Sequence, residues 1–100
     1  MEKLSDAEVK ERLTHHPEWT EVGGEIQRTF EFGDFKASMR FVNEVADEAE
    51  RIQHHPDVLI RYAKVTLTVS THDAGGITAK DFDLATFADQ ASETIVAATA

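Results

Sequence analysis

Apolar positions in this chain change their period several times, and each change marks an element. Leu4-Ser5-Asp6-Ala7-Glu8-Val9 reads as a helix start: Ser5 can cap it, Glu8 can reach back from the third helical position, and Leu4 can staple onto Val9. The helix is predicted from about Ser5 to Leu13, and Thr14-His15-His16-Pro17 stops it, because a residue before proline is pushed towards extended backbone. Trp19 to Val22 and Glu25 to Phe32 then alternate around Gly23-Gly24, a two-residue link suited to a tight hairpin. On the second strand Ile26, Arg28, Phe30 and Phe32 share one face, expected to be mostly core, and Gln27, Thr29 and Glu31 share the other. Trp19 could serve as a stacking platform for a flat ligand, although a lone tryptophan at a strand start is more often a core anchor.

After Gly33-Asp34 the period lengthens. Phe35, Met39, Val42, Val45, Ala46, Ala49 and Ile52 recur every three or four residues, a helix with Asp47, Glu48 and Arg51 facing outward. Pro56 requires that helix to finish near His54, which sets His54 and His55 at its C-terminus, facing the partial negative charge of the macrodipole. Val58 to Tyr62 and Lys64 to Thr71 follow as strands; in the second, Val65, Leu67 and Val69 alternate with Thr66, Thr68 and Ser70, and His72 ends it. Beyond the Asp73-Ala74-Gly75-Gly76 turn, Thr78-Ala79-Lys80-Asp81 forms a capping box for a last helix whose core stripe is Leu84, Ala85, Ala88, Ala91 and Ile95. Phe82 and Phe87 fall off that stripe, where they could meet another subunit, and Val96 to Ala100 is expected to fray. The order is helix, strand, strand, helix, strand, strand, helix. It implies an α+β fold in which three helices pack on one face of a four-stranded antiparallel sheet, with residues 1–100 as a single domain.

Composition adds exclusions. Hydrophobic residues make up 41% and charged residues 29%, with no apolar run of the roughly 18 residues that a membrane span needs. The charged N-terminal segment lacks the apolar core of a secretory signal, so a cytoplasmic protein is the expectation. A net charge of −9 disfavours direct binding to nucleic acid. With no cysteine, disulfides, thiolate nucleophiles and cysteine-bound zinc are excluded.

The chemistry concentrates between Glu50 and His72, which hold three of the five histidines. Imidazole is the side chain best matched to proton transfer near neutral pH. A metal site is disfavoured, because adjacent His54 and His55 diverge and no His-x-x-x-His spacing supports them. Histidines that merely cap a helix and fill a strand end are the competing structural reading. His15-His16-Pro17 repeats the pattern without a useful partner and reads as a solvated loop.

Glu50-x-x-x-His54-His55-Pro56, then Tyr62, Ser70-Thr71-His72-Asp73-Ala74-Gly75-Gly76 and Asp81 resemble the signature of the pterin-4a-carbinolamine dehydratases. Trp19, Phe30-x-Phe32-x-Asp34-Phe35 and Asp81-Phe82-Asp83-Leu84-Ala85 extend the likeness over nearly the whole chain, with a departure at Val58 and Leu59, where some members carry an aromatic-rich stretch. The resemblance implies dehydration of 4a-hydroxytetrahydropterin to quinonoid dihydropterin, a step in tetrahydrobiopterin recycling after aromatic amino-acid hydroxylation, without metal or organic cofactor. It implies His54 and His72 as the acid/base pair and His55 as mainly a pterin-binding residue. Glu50, Ser70, Thr71 and Asp81 are candidate substrate-binding residues. Asp81 could instead only cap the last helix, Glu50 could be a solvated helix residue, and Ser70 and Thr71 could simply face water; Tyr62 is expected to pack. The family also suggests a homodimer or homotetramer. Its relatives include a dimerisation cofactor of a homeodomain transcription factor and assembly factors for carbon-fixing enzymes, so a non-catalytic protein-binding module is the alternative.

Overall fold

A computed structural model describes residues 2–99, with Thr99 described by its backbone. The chain runs α1 (Asp6–Leu13), β1 (Thr20–Val22), β2 (Glu25–Glu31), α2 (Phe35–Ile52), β3 (Asp57–Arg61), β4 (Lys64–Val69), a one-turn 3-10 helix (His72–Ala74) and α3 (Ala79–Thr99). The sheet is antiparallel throughout, as the order of elements implied, and its strand order is β1-β2-β4-β3. The crossover through α2 carries the chain from β2 to the far edge, and β4 returns between β3 and β2.

Local chemistry sets the boundaries. Ser5 and Glu8 form the reciprocal cap of α1. Gly23 and Gly24 both take positive φ, 59° and 81°, which a two-residue hairpin turn with the strands' own twist requires. Asp34 caps α2 by accepting from the Ala37 amide at 2.8 Å. That helix ends at Ile52, a turn before the proline, because Gln53 adopts the left-handed conformation; the His54 amide then folds back onto the Ala49 carbonyl at 3.0 Å.

The core lies between the helices and one face of the sheet. Ile26 and Phe30 of β2 and Val65, Leu67 and Val69 of β4 are buried against Phe41, Val45 and Ala49 of α2 and the expected α3 stripe from Leu84 to Ile95. On the opposite face the Thr29 and Thr66 hydroxyls bond at 2.8 Å and the Gln27 amide donates to Thr68 at 3.0 Å, a polar ladder across β2 and β4.

Three expectations need correction. The buried stripe of α2 is Ala37, Ser38, Phe41, Val45 and Ala49, while Phe35 and Ala46 are exposed; both series have helical spacing, and only the sheet decides which turns inward. Phe82 is 3% exposed and Phe87 packs against the core. Helix α3 is covered on two sides, since α1 and the segment after it close over Phe82 with the Arg12 guanidinium 5.8 Å from its ring and the His16 ring at 5.6 Å. Helix α3 runs through Thr99, with Ala100 outside the described residues. Tyr62 does not pack: it is 70% exposed at φ 53° in the two-residue β3–β4 turn. Among the described residues no helix is long and apolar enough to cross a membrane.

Candidate active site

Asp81 is the fixed point of the site. In the first turn of α3 it is 0% exposed, and a carboxylate that deep must have its oxygens satisfied. Oδ2 accepts from the Thr78 amide at 2.8 Å and from the Thr71 hydroxyl at 3.0 Å. Thr78 in turn donates its hydroxyl to Thr71 at 2.8 Å and accepts from the Lys80 amide at 3.2 Å, so each hydroxyl donates once. Oδ1 is left for His54, whose Nε2 lies 2.5 Å away. Capping and site contact were alternatives in the sequence; the two oxygens do one each.

That contact defines the imidazole. A carboxylate can only accept, so Nε2 carries the proton, and in the neutral ring the lone pair lies on Nδ1. The ring is locked from both ends, by Asp81 at Nε2 and by the left-handed turn at Gln53 that returns His54 to the body of the protein. His55 is 57% exposed, with Nε2 bonded to the Glu50 carboxylate one turn back on α2.

His72 comes from a different element, the turn after β4. It opens the 3-10 turn instead of closing β4, which stops at Val69; a Thr71–Gly76 bridge pins the base of that turn, the Thr71 amide donating to Gly76 at 2.8 Å. Exposed, the His72 side chain makes no hydrogen bond among the described residues. His54, His55 and His72 thus line one open cleft of about 230 Å³ with Ser70, Thr71, Gln53 and Asp73. Three imidazoles lining one small cleft supply the groups that proton transfer to and from a bound molecule needs.

Six of the seven residues singled out from sequence are therefore joined at this cleft or its anchor, and Glu50 reaches it through His55. Gln53 and Asp73 line it as well: Asp73 lies inside the Ser70–Gly76 signature stretch, where only its neighbours were given roles, and Gln53 carries no pattern that would have marked it. Glu25, which accepts from Ser70 at 3.0 Å, was missed because 45 residues separate the two. Val58 and Leu59 are exposed on the edge strand β3 and do not line the cleft, so their departure from the family pattern leaves it untouched. The first His-His-Pro is not simply solvated: His16 Nδ1 lies 3.4 Å from Asp89, which also accepts from Trp19 at 2.8 Å and Arg28 at 2.6 Å. Trp19 is accordingly a core anchor, set edge-on to Phe30. Among the described residues no group of three or more His, Asp or Glu side chains is arranged to hold a metal ion.

Residues 2–91 match the family model of pterin 4 alpha carbinolamine dehydratase. The chain belongs to this family. Its similarity to other dehydratase-family proteins runs almost end to end. It is 49% identical over 88 residues to the "Putative pterin-4-alpha-carbinolamine dehydratase" of Picosynechococcus sp., covering 88% of this chain and 96% of the relative. To the protein of the same name from Roseiflexus sp. it is 53% identical, covering 88% and 95%. Among solved structures, a transcriptional coactivator/pterin dehydratase from Brucella melitensis superposes with a TM-score of 0.87 at 30% identity, covering 90% of this chain and 98% of that one. A pterin dehydratase-like RuBisCO assembly factor of the alpha-carboxysome shares the fold at a TM-score of 0.66 and 22% identity, covering 78% and 93%.

Proposed function

We propose that the protein dehydrates pterin-4a-carbinolamine to quinonoid dihydropterin. The observation that carries this reading is the convergence of His54, His55 and His72 on one cleft, with His54 held by a buried carboxylate. The reaction breaks the C4a–O bond as a proton reaches the hydroxyl, releases water, and forms C4a=N5 as the N5 proton leaves. One acid and one base suffice, and no electrons enter or leave. His54, whose tautomer Asp81 fixes with the lone pair on Nδ1, takes the N5 proton. His72 gives a proton to the 4a-hydroxyl, and His55, steadied by Glu50, binds the pterin with Ser70 and Thr71. A positioned acid or base of this kind contributes roughly 10²- to 10⁴-fold.

The test follows quinonoid-dihydropterin absorbance from synthetic carbinolamine with a chelator present. His54→Ala and His72→Ala each slow it at least about tenfold while the far-ultraviolet dichroism is unchanged. Wild-type rates in both variants would overturn the assignment.

A second reading, a protein-binding module, is supported by the coactivator half of the Brucella relative's title. It predicts one stoichiometric protein partner and no turnover of carbinolamine. The buried Asp81–His54 pair favours the enzyme, since a scaffold gains nothing from fixing a histidine tautomer beside a cleft. A homo-oligomer and a place in pterin recycling belong to this proposal as well.

A further inference from the structure

Asp81 locks His54, but the His72 side chain has no hydrogen-bond partner among the described residues, so the backbone of its turn sets where that imidazole stands. The turn closes on a two-way bridge, the Thr71 amide donating to Gly76 at 2.8 Å and the Gly76 amide to Thr71 at 3.3 Å. Within it the Ala74 amide donates to Thr71 and the Gly75 amide to His72. All these bonds are internal: they fix the shape of the turn and leave its place to its two legs. The first leg is tied to the site by the Thr71 hydroxyl on Asp81. The second meets the start of the chain, where the Leu4 amide donates to the Ile77 carbonyl at 2.8 Å and the Leu4 side chain packs against the core. The Lys3 stem crosses Gly76: a Cβ built there would stand 2.8 Å from Lys3 Cδ and 3.2 Å from Cγ, whereas at the other four glycines it would meet nothing within 4 Å. Gly76 lacks the positive φ of Gly23, Gly24 and Gly75, so its missing side chain serves that crossing and not a backbone conformation.

We propose that Leu4, with the Lys3 stem beside it, is a positioning residue for His72: the segment ahead of α1 holds the second leg of the turn, a role that rests on the dehydratase reading above. Burial makes the bond matter. Ile77 is 3% exposed, so its carbonyl needs a donor from the protein, and the Leu4 amide is that donor. Without it the leg must shift to bring the carbonyl to water, and the shift passes through the Thr71–Gly76 bridge to His72. An acid displaced by about 1 Å can lose on the order of 10²-fold in rate, so partial loosening of this leg is felt in the chemistry while the fold stands. The Ser5–Glu8 cap lies one residue further on and takes no part in this hold.

The experiment uses the full-length chain with Leu4→Pro, which removes the amide donor. Its kcat for carbinolamine falls about tenfold with KM within about twofold, and the same substitution in a His72→Ala background changes kcat by less than about twofold, because no imidazole is left to misplace. Amide hydrogen exchange reads the turn without turnover. The Thr71 amide, bonded to Gly76, exchanges about tenfold faster in Leu4→Pro, while the Thr78 amide, bonded to Asp81, stays within about twofold. Leu4→Ala, which keeps the amide and loses the packing, replaces the proline variant if that one does not fold, with effects of about threefold in place of tenfold. An unchanged kcat, an equal loss in the His72→Ala background, or unchanged Thr71 exchange would overturn the inference and leave the dehydratase reading standing. If the wild type does not turn over carbinolamine, the dehydratase reading falls and exchange alone decides the hold: faster Thr71 exchange supports it, and unchanged exchange overturns it.

Discussion

His15-His16-Pro17 and His54-His55-Pro56 are the same three residues placed after two different helices, and their surroundings are alike to a surprising depth. In each pair one imidazole meets an aspartate of α3, His16 with Asp89 and His54 with Asp81. The other is exposed beside a carboxylate of its own preceding helix, His15 with Glu11 and His55 with Glu50. The difference lies in what each aspartate is free to do. Asp89 commits Oδ1 to the Trp19 indole and the Arg28 guanidinium, and His16 stands 3.4 Å from the other oxygen. Among the described residues Asp81 has no ion-pair partner but His54, which it holds at 2.5 Å, and His54 lines a cleft that a third imidazole lines as well. A tripeptide is thus structural or chemical according to the groups that the topology brings opposite, and α3 supplies both environments from two aspartates eight positions apart.

Asparagine at the two aspartates separates these roles most sharply. Asp81→Asn removes the charge from a wholly buried group that accepts from Thr78, Thr71 and His54, so it destabilises the fold by about 3 kcal/mol, the upper end for hydrogen bonds to a charged group. It also slows dehydration per folded molecule by about 10²-fold, since the imidazole loses its fixed tautomer. Asp89→Asn weakens the bonds from Trp19 and Arg28 and costs about 1–2 kcal/mol of stability with the dehydration rate unchanged. Urea unfolding and the carbinolamine assay give both numbers for both variants. A rate loss in Asp89→Asn equal to that in Asp81→Asn would mean that the first segment belongs to the site after all.

A smaller effect is expected from the histidine itself. His16→Ala loses a tilted ring contact with Phe82 and a long bond to Asp89, so it lowers stability by about 1 kcal/mol and leaves turnover alone, in contrast to the loss expected for His54→Ala. Thermal melts and steady-state rates on the two variants check it; a turnover defect in His16→Ala would contradict the contrast.

Much of this organisation was legible in the chain. Gly23-Gly24 marked a hairpin whose positive φ values only glycine takes freely, Val65-Leu67-Val69 marked a strand with one buried face, and Pro56 bounded the helix that presents His54. Each is a local rule, and local rules leave their trace in neighbouring residues. What escaped depends on contact between distant residues. Phe41 and Phe35 have equal claims to a helical stripe, and the sheet alone buries the first. Phe82 looked spare because α1 returns over it from the other end of the chain, and His16 looked solvated because Asp89 lies 73 positions away. Asp81 was half legible: its capping geometry is local, while the bond to His54 spans 27 positions.

The smallest expected effect tests whether α1, which leads into the first His-His-Pro, touches the site at all. Its cap holds the Glu8 carboxyl below the usual carboxylate range, first through the Ser5 backbone amide, which donates at 2.9 Å, and then through the Ser5 side chain, with the Arg12 charge adding a little. A carboxyl lowered on folding contributes stability that is complete above its unfolded pKa, about 4.3, and that disappears as pH falls through the lowered folded value. The melting-temperature gap between wild type and Glu8→Ala is therefore widest above about pH 5 and closes below that range. Since Glu8 is solvent-exposed, the gap is smaller than for Asp89→Asn. A gap that stays constant down to pH 2 would show that Glu8 acts through helix propensity and not through its charge. Dehydration at neutral pH should be the same in both proteins. A slower Glu8→Ala enzyme would mean that motion of α1 reaches Asp81 through its neighbour Phe82, the residue on which Arg12 and His16 both rest.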